Sequence, residues 1–209
     1  MIDDIKIVAP GDIEKRSFEI ISELIGNREL NSLQEPVIKR VIHTTADFEY
    51  LDTLKISENA LEKGIESIKS GCSIVTDTKM AQAGINKRVL KNFDGKVVCY
   101  MDNEEIAATA KERNVTRASI SMETAAKDEN NRIFVVGNAP TALIKLYELI
   151  KEGSVRPSLV IGVPVGFVNV VESKELIKKA GVPFIISEGR KGGSNVAASI
   201  INAILYMVR

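Results

Sequence analysis

Histidine is almost absent. The 209-residue chain holds one, His43, so any proton chemistry that uses an imidazole has a single candidate. The type matters because an unperturbed imidazole, with a pKa of about 6.5, exchanges a proton near neutrality. Cysteine is nearly as scarce, with Cys72 and Cys99 alone. Both lie inside apolar runs and there is no Cys-x-x-Cys, which reads as two core thiols and argues against a disulfide or a zinc site. A carboxylate-only magnesium site is left open by composition. Charge of one sign is missing too: 28 Lys and Arg balance 28 Asp and Glu. A general binder of nucleic acid or of a membrane surface carries a basic excess, so neither is expected as a partner. Anion recognition must then come from a few placed arginines, lysines and backbone amides. No apolar stretch is long enough to span a bilayer. The acidic start, Met1-Ile2-Asp3-Asp4, lacks a signal-peptide layout. These absences lead to the expectation of a soluble cytoplasmic protein.

What is present is ordinary for a globular chain, with 44% apolar and 27% charged residues. The length suits one medium domain over residues 1–209 with a substantial core. Short Val- and Ile-rich runs at 72–76, 96–100, 132–136, 159–163 and 184–187 read as strands buried on both faces. Helical patterns separate them. Asp102 with Glu105 resembles a capping box opening a helix that ends near Asn114. Pro140 stands where a helix begins and Gly153 where it stops, while the helix over 172–180 closes at Gly181. Residues 194–207 form a long apolar helix. Strand-helix alternation predicts a three-layer α/β fold, a mostly parallel sheet of about five strands flanked by helices. The first seventy or so residues read as mostly helical. One helix carries Phe18, Ile21 and Ile25, a second opens at Pro36 and leads into His43, and a third spans 58–70 before Gly71.

In open α/β sheets ligands bind beyond the carboxyl ends of the strands. The segments expected there are Thr76-Asp77-Thr78-Lys79-Met80, Gly137-Asn138-Ala139-Pro140-Thr141, Gly162-Val163-Pro164-Val165-Gly166-Phe167 and Gly189-Arg190-Lys191-Gly192-Gly193-Ser194. The last precedes a helix. Its amides, with Arg190 and Lys191 beside them, suit a phosphate or carboxylate, and Gly192 and Gly193 let a ligand approach the backbone. A flexible connection with solvated charges is the ordinary alternative. Neither 162–167 nor 137–141 matches a dinucleotide fingerprint or a P-loop, which opposes a nucleotide-dependent enzyme. His43 reaches this edge only if the N-terminal helices fold over it or a partner subunit supplies it. Asp47 and Glu49 either polarise His43 or face water. Ser17 and Arg117, taken alone, read as ordinary surface residues.

Four segments in order, residues 40–50 (RVIHTTADFEY), 137–143 (GNAPTAL), 162–174 (GVPVGFVNVVESK) and 189–197 (GRKGGSNVA), together resemble the precorrin-8X methylmutase family. Glu14-Lys15-Arg16-Ser17-Phe18 and residues 76–80 fit the same pattern. Ala81 stands where valine is the commoner residue, and 116–122 (TRASISM) is a looser fit. The resemblance implies an isomerase of cobalamin biosynthesis. It would shift a methyl group between neighbouring ring C carbons of cobalt-precorrin-8 or precorrin-8X, giving cobyrinic or hydrogenobyrinic acid. It implies a homodimer binding a tetrapyrrole substrate near the subunit interface. No cofactor is needed, and cobalt, if present, belongs to the substrate. His43 matches the family's catalytic residue, a proton donor or acceptor at ring C. The resemblance matches Ser17 and Arg40 to substrate-binding positions and adds Arg117 as a further contact; Thr44 and Thr45 beside His43, and Arg190, Lys191, Gly192 and Gly193 of the glycine loop, complete the substrate-binding candidates. A non-catalytic tetrapyrrole carrier on the same scaffold would use the arginines and glycine loops without the imidazole.

Overall fold

A computed structural model describes residues 7–209; the acidic residues at 1–4 lie outside them. Its centre is a six-stranded sheet in the order β1-β6-β5-β4-β2-β3. Five strands are parallel: β2 (Ser73–Thr76), β3 (Lys96–Val98), β4 (Asn131–Val136), β5 (Leu159–Gly162) and β6 (Phe184–Ser187). All four residues of β2 and of β5 are buried, which explains their unbroken apolar character. The sixth strand, β1 (Leu54–Ile56), runs antiparallel on β6 with Leu54 opposite Ser187. It adds one antiparallel edge strand to the five parallel strands expected. With three residues it is too short to show alternation, and it lies in a region that otherwise reads as helix.

One layer of helices holds α1 (Ile13–Ile25), α2 (Glu35–Thr45), α4 (Ala60–Lys69) and α11 (Ser194–Met207); α3 (Tyr50–Thr53) joins α2 to β1. The short helices α5 (Lys79–Gly84) and α6 (Lys87–Lys91) lie against α11. The opposite layer is α8 (Arg117–Ala125), α9 (Pro140–Lys151) and α10 (Val170–Lys178), with α7 (Glu104–Glu112) packed outside α8. Apolar side chains of the sheet fill both interfaces. Ile74, Ile133, Ile161 and Ile185 face the first layer, and Val75, Phe134, Val160 and Ile186 face the second.

Several boundaries move. The cap of α7 is Asn103, whose side-chain oxygen accepts from the amides of Glu105 and Ile106. Asp102 instead pairs with Lys79 at 2.6 Å. α10 starts at Val170, before the expected 172, and α4 is shorter at both ends than 58–70. Cys72 is buried and Cys99 half-buried, both as free thiols, and burial pushes the Cys72 thiol up to about 11. Ala81 is fully buried, a packing position. Among the described residues no helix is long and apolar enough to cross a membrane.

Candidate active site

His43 is placed by the amphipathic pattern of its own helix. Val37, Ile38, Val41 and Ile42 of α2 are buried, and the helix packs along α11. His43, in the last turn of α2, is left exposed. α1 crosses beside it and brings the Ser17 hydroxyl to 2.8 Å from His43 Nδ1. The next residue of α1, Phe18, lays its ring against the imidazole, with centroids 5.1 Å apart and planes 14° from parallel. Arg40, one turn earlier on α2, sits over the Phe18 ring at 4.7 Å and over the Tyr206 ring at 5.0 Å, and pairs with Glu14. The hydrogen bond from Arg40 holds the Glu14 carboxyl below its ordinary range. With Nδ1 occupied by Ser17, Nε2 is the nitrogen left for a ligand. When the Ser17 hydroxyl donates, Nε2 carries the proton.

Ser17 and His43 line a cavity of about 620 Å³ whose other walls include Ile13, Ile20, Leu24 and Phe48. Ile13, Ile20 and Leu24 flank Ser17 at helical spacing and are exposed. A stripe of α1 therefore offers an apolar bed with one hydroxyl in it. Arg16 also borders the cavity and pairs with Glu19 and Glu23.

The N-terminal helices fold over the carboxyl edge of the sheet within one chain. Lys191, in the loop after β6, reaches Asp47 at 2.6 Å and Glu49 at 2.8 Å. Asp47 and Glu49 thus neither polarise His43 nor simply face water. The two hydrogen bonds raise the Lys191 amine, and the lysine lowers Asp47. Such exposed pairs add little stability; their effect is to tie the segment after His43 to the strand-end loop. Tyr50, which follows, is buried, and burial raises its phenol. Thr44 and Thr45 turn their hydroxyls back onto the carbonyls of Arg40 and Val41 at 2.9 and 2.8 Å.

At the glycine loop the backbone packs closely on the loop after β5. Gly192 has φ +157°, and a Cβ there would lie 2.1 Å from the Val163 carbonyl oxygen. The Gly193 amide donates to the same oxygen at 2.9 Å. At Gly192 the neighbouring loop of this chain makes the close approach that a glycine allows. Arg190 is exposed beside them, and its carbonyl accepts from the Gly166 amide at 3.2 Å. Arg117 opens α8 in the opposite helical layer; its neighbour Thr116 meets Thr141 at 2.7 Å. It borders the same edge of the sheet, and among the described residues no hydrogen bond or ion pair joins it to the His43 cluster.

Two charged residues that shape this edge were not singled out from the sequence. Lys174, 1% exposed, donates to the carbonyls of Gly189 and Lys191 at 2.8 and 2.9 Å and to Ser187 Oγ at 3.2 Å. Its signal was a lysine at an apolar spacing, between the buried Val170 and Ile177. Asp77, also 1% exposed, accepts from the amides of Gly137, Asn138 and Ala139 at 2.9, 2.8 and 2.7 Å. Burial pushes the Asp77 carboxyl up, and the three amides pull it back. Among the described residues no group of three or more His, Cys, Asp or Glu is arranged to hold a metal ion.

A family model described as precorrin-8X methylmutase matches residues 12–207. The chain belongs to the precorrin-8X methylmutase family. Its members are isomerases that move a methyl group within one molecule. The chain is 46% identical to a cobalt-precorrin-8 methylmutase of Priestia megaterium over 94% of its length and 88% of that protein. Identity is also 46% to a cobalt-precorrin-8 methylmutase of Salmonella typhimurium, over 97% of this chain and 98% of the relative. The fold superposes on a precorrin-8x methyl mutase structure from Thermus thermophilus with a TM-score of 0.86 and 38% identity, covering 94% and 97% of the two chains.

Lys174 yields a pH test. Burial draws its pKa down to about 8, whereas an unfolded lysine titrates near about 10.4. Between these values the unfolded chain holds the extra proton, so this residue's contribution makes stability rise with pH across that window. In denaturant titrations the stability of the wild type relative to Lys174→Met should increase from about pH 8 to about pH 10. A difference that stays flat or shrinks would contradict a buried ammonium held by neutral acceptors alone.

Proposed function

We propose that this methylmutase acts on cobalt-precorrin-8, moving a methyl group between neighbouring ring C carbons to give cobyrinic acid, with His43 as the proton donor or acceptor. The observation that carries the reading is the Ser17–His43 pair at 2.8 Å, opening onto an apolar cavity of about 620 Å³. A methyl shift on a conjugated macrocycle requires no nucleophile and no electron carrier. It requires the right tautomer, polarised at one edge and held still. An imidazole fixed through Nδ1, with Nε2 free, suits that task. The cobalt-containing form is supported by the names of the Priestia and Salmonella relatives. Cobalt belongs to the substrate, and the reading asks for no cofactor on the protein.

The residues proposed to touch the macrocycle divide by their present partners. Ser17 and His43 line the cavity directly. The substrate's carboxylates would be met by Arg190, by Arg117, and by Arg40 and Lys191 on exchange with the acids they now hold, Glu14 for Arg40 and Asp47 with Glu49 for Lys191. Thr44 and Thr45 keep acceptor lone pairs for the same ligand. Gly192 and Gly193 shape the loop that presents Arg190 and Lys191 and keep its backbone open to the ligand. Homodimerisation accompanies this reading. Its support is the exposed apolar stripe of α1 and the exposed Phe167 and Val168 at the carboxyl edge, 85% and 77% accessible.

Incubation with cobalt-precorrin-8 should give a product of unchanged mass and altered absorbance. His43→Ala should still bind the substrate while turnover falls by about 10² to 10⁴. Wild-type turnover in that variant would refute the role of His43, and binding without rearrangement by the wild type would favour a carrier. Sedimentation should give twice the chain mass, and a monomer at micromolar concentration would remove the dimer from the account.

A further inference from the structure

A hydrogen bond restrains an imidazole at one edge atom, and a packed face restrains its plane. Ser17 holds His43 Nδ1 at 2.8 Å, a restraint on one edge atom that leaves the faces of the ring to be set by packing. His43 is exposed on the last turn of its helix, where rotamers are least restricted by packing. The missing restraint comes from the adjacent residue of α1. We propose that Phe18 is a positioning residue for His43, setting the imidazole plane through the face of its own ring so that Nε2 is presented to the macrocycle. The proposal rests on the reading that His43 works at the substrate.

The geometry supports it at each step. The two rings lie 14° from parallel with centroids 5.1 Å apart, an offset stack. Ser17 and Phe18 are consecutive, so one short piece of α1 supplies both restraints, one on an edge atom and one on the plane. Phe18 is itself held. The Arg40 guanidinium lies against its ring at 4.7 Å and against the Tyr206 ring of α11 at 5.0 Å, the contact a cation seeks on an aromatic face. Glu14, also on α1, pairs with the same guanidinium, so Arg40 is bound to α1 twice. Three helices therefore lock one aromatic ring, and that ring presents a flat surface to the only histidine of the chain. Arg40 thereby acquires a task distinct from carboxylate binding: it holds the ring that holds the imidazole.

The lone histidine makes the test clean, because every imidazole resonance in an NMR spectrum belongs to His43. A stacked phenyl face shifts the His43 ring protons upfield. Phe18→Leu keeps apolar bulk and removes the face; Phe18→Tyr keeps the face. In Phe18→Leu the His43 ring resonances should move downfield, and kcat on cobalt-precorrin-8 should fall about tenfold or more with KM within about twofold. Phe18→Tyr should restore both. If Phe18→Leu does not fold, Phe18→Met serves as the face-free variant. Unmoved His43 resonances in the face-free variant would overturn the proposal, and so would a moved resonance with unchanged kcat. A loss of kcat that Phe18→Tyr fails to restore would do the same. Failure of the underlying reading is separate, since it appears as wild-type turnover in His43→Ala while the resonance shifts still report the stack.

Discussion

The antiparallel pairing of β1 on β6 decides where everything N-terminal to it goes. Leu54 lies opposite Ser187, and the Glu188 amide donates to the Thr53 carbonyl at 2.8 Å. A strand that enters antiparallel begins where its neighbour ends, so the chain just before β1 sits at the carboxyl edge of the parallel sheet. That chain is the end of α2, the turn over 46–49 and α3. α2 then runs back along α11, and α1 packs on α2. This pairing, the packing of α2 on α11 and the Lys191 contacts to Asp47 and Glu49 together hold Ser17, Phe18 and His43 in relation to the loop after β6.

The strand-end loops are tied down by buried charges that turn their hydrogen bonds inward. Burying a charge costs several kcal/mol unless its hydrogen-bonding capacity is met. Lys174 meets all three donors with two carbonyls and a hydroxyl; Asp77 accepts three consecutive amides. Each closes one strand-end loop onto the layer below. The outward-facing groups, Arg190, Lys191 and the apolar Phe167 and Val168, are thereby presented from a fixed frame. A wide, flat, polyanionic substrate is best served by such an edge, where shape is set before binding and little ordering remains to oppose it.

Much of this was legible in the sequence. The five parallel strands announced themselves as short Val- and Ile-rich runs, and α1, α9 and α11 as amphipathic or apolar periods with Pro and Gly at their ends. His43 stood out by its solitude, and the family motifs directed attention to Ser17 and Arg40, which the fold brings into contact with it directly or through Phe18. The rest escaped for physical reasons. β1 is defined by partnership with β6, which lies some 130 positions away, and three residues hold no pattern. Phe18 read only as one apolar residue of a helix and Tyr206 lay unremarked in the helix over 194–207, until three helices set them around Arg40. The glycines at 192 and 193 signal close approach correctly, but a sequence does not say whether ligand or protein makes it. Lys174 was visible as a lysine where an apolar residue belongs, a conflict of pattern that only burial turns into meaning.

The central claim is that the Ser17–His43 pair faces the reacting edge of the macrocycle. A crystal structure of the protein with its corrinoid product bound tests it most directly. The account expects the Ser17 contact to Nδ1 to be retained and His43 Nε2 to lie about 3 Å from the ring C edge of the macrocycle. A macrocycle seated elsewhere on the carboxyl edge, with His43 facing water, would contradict it.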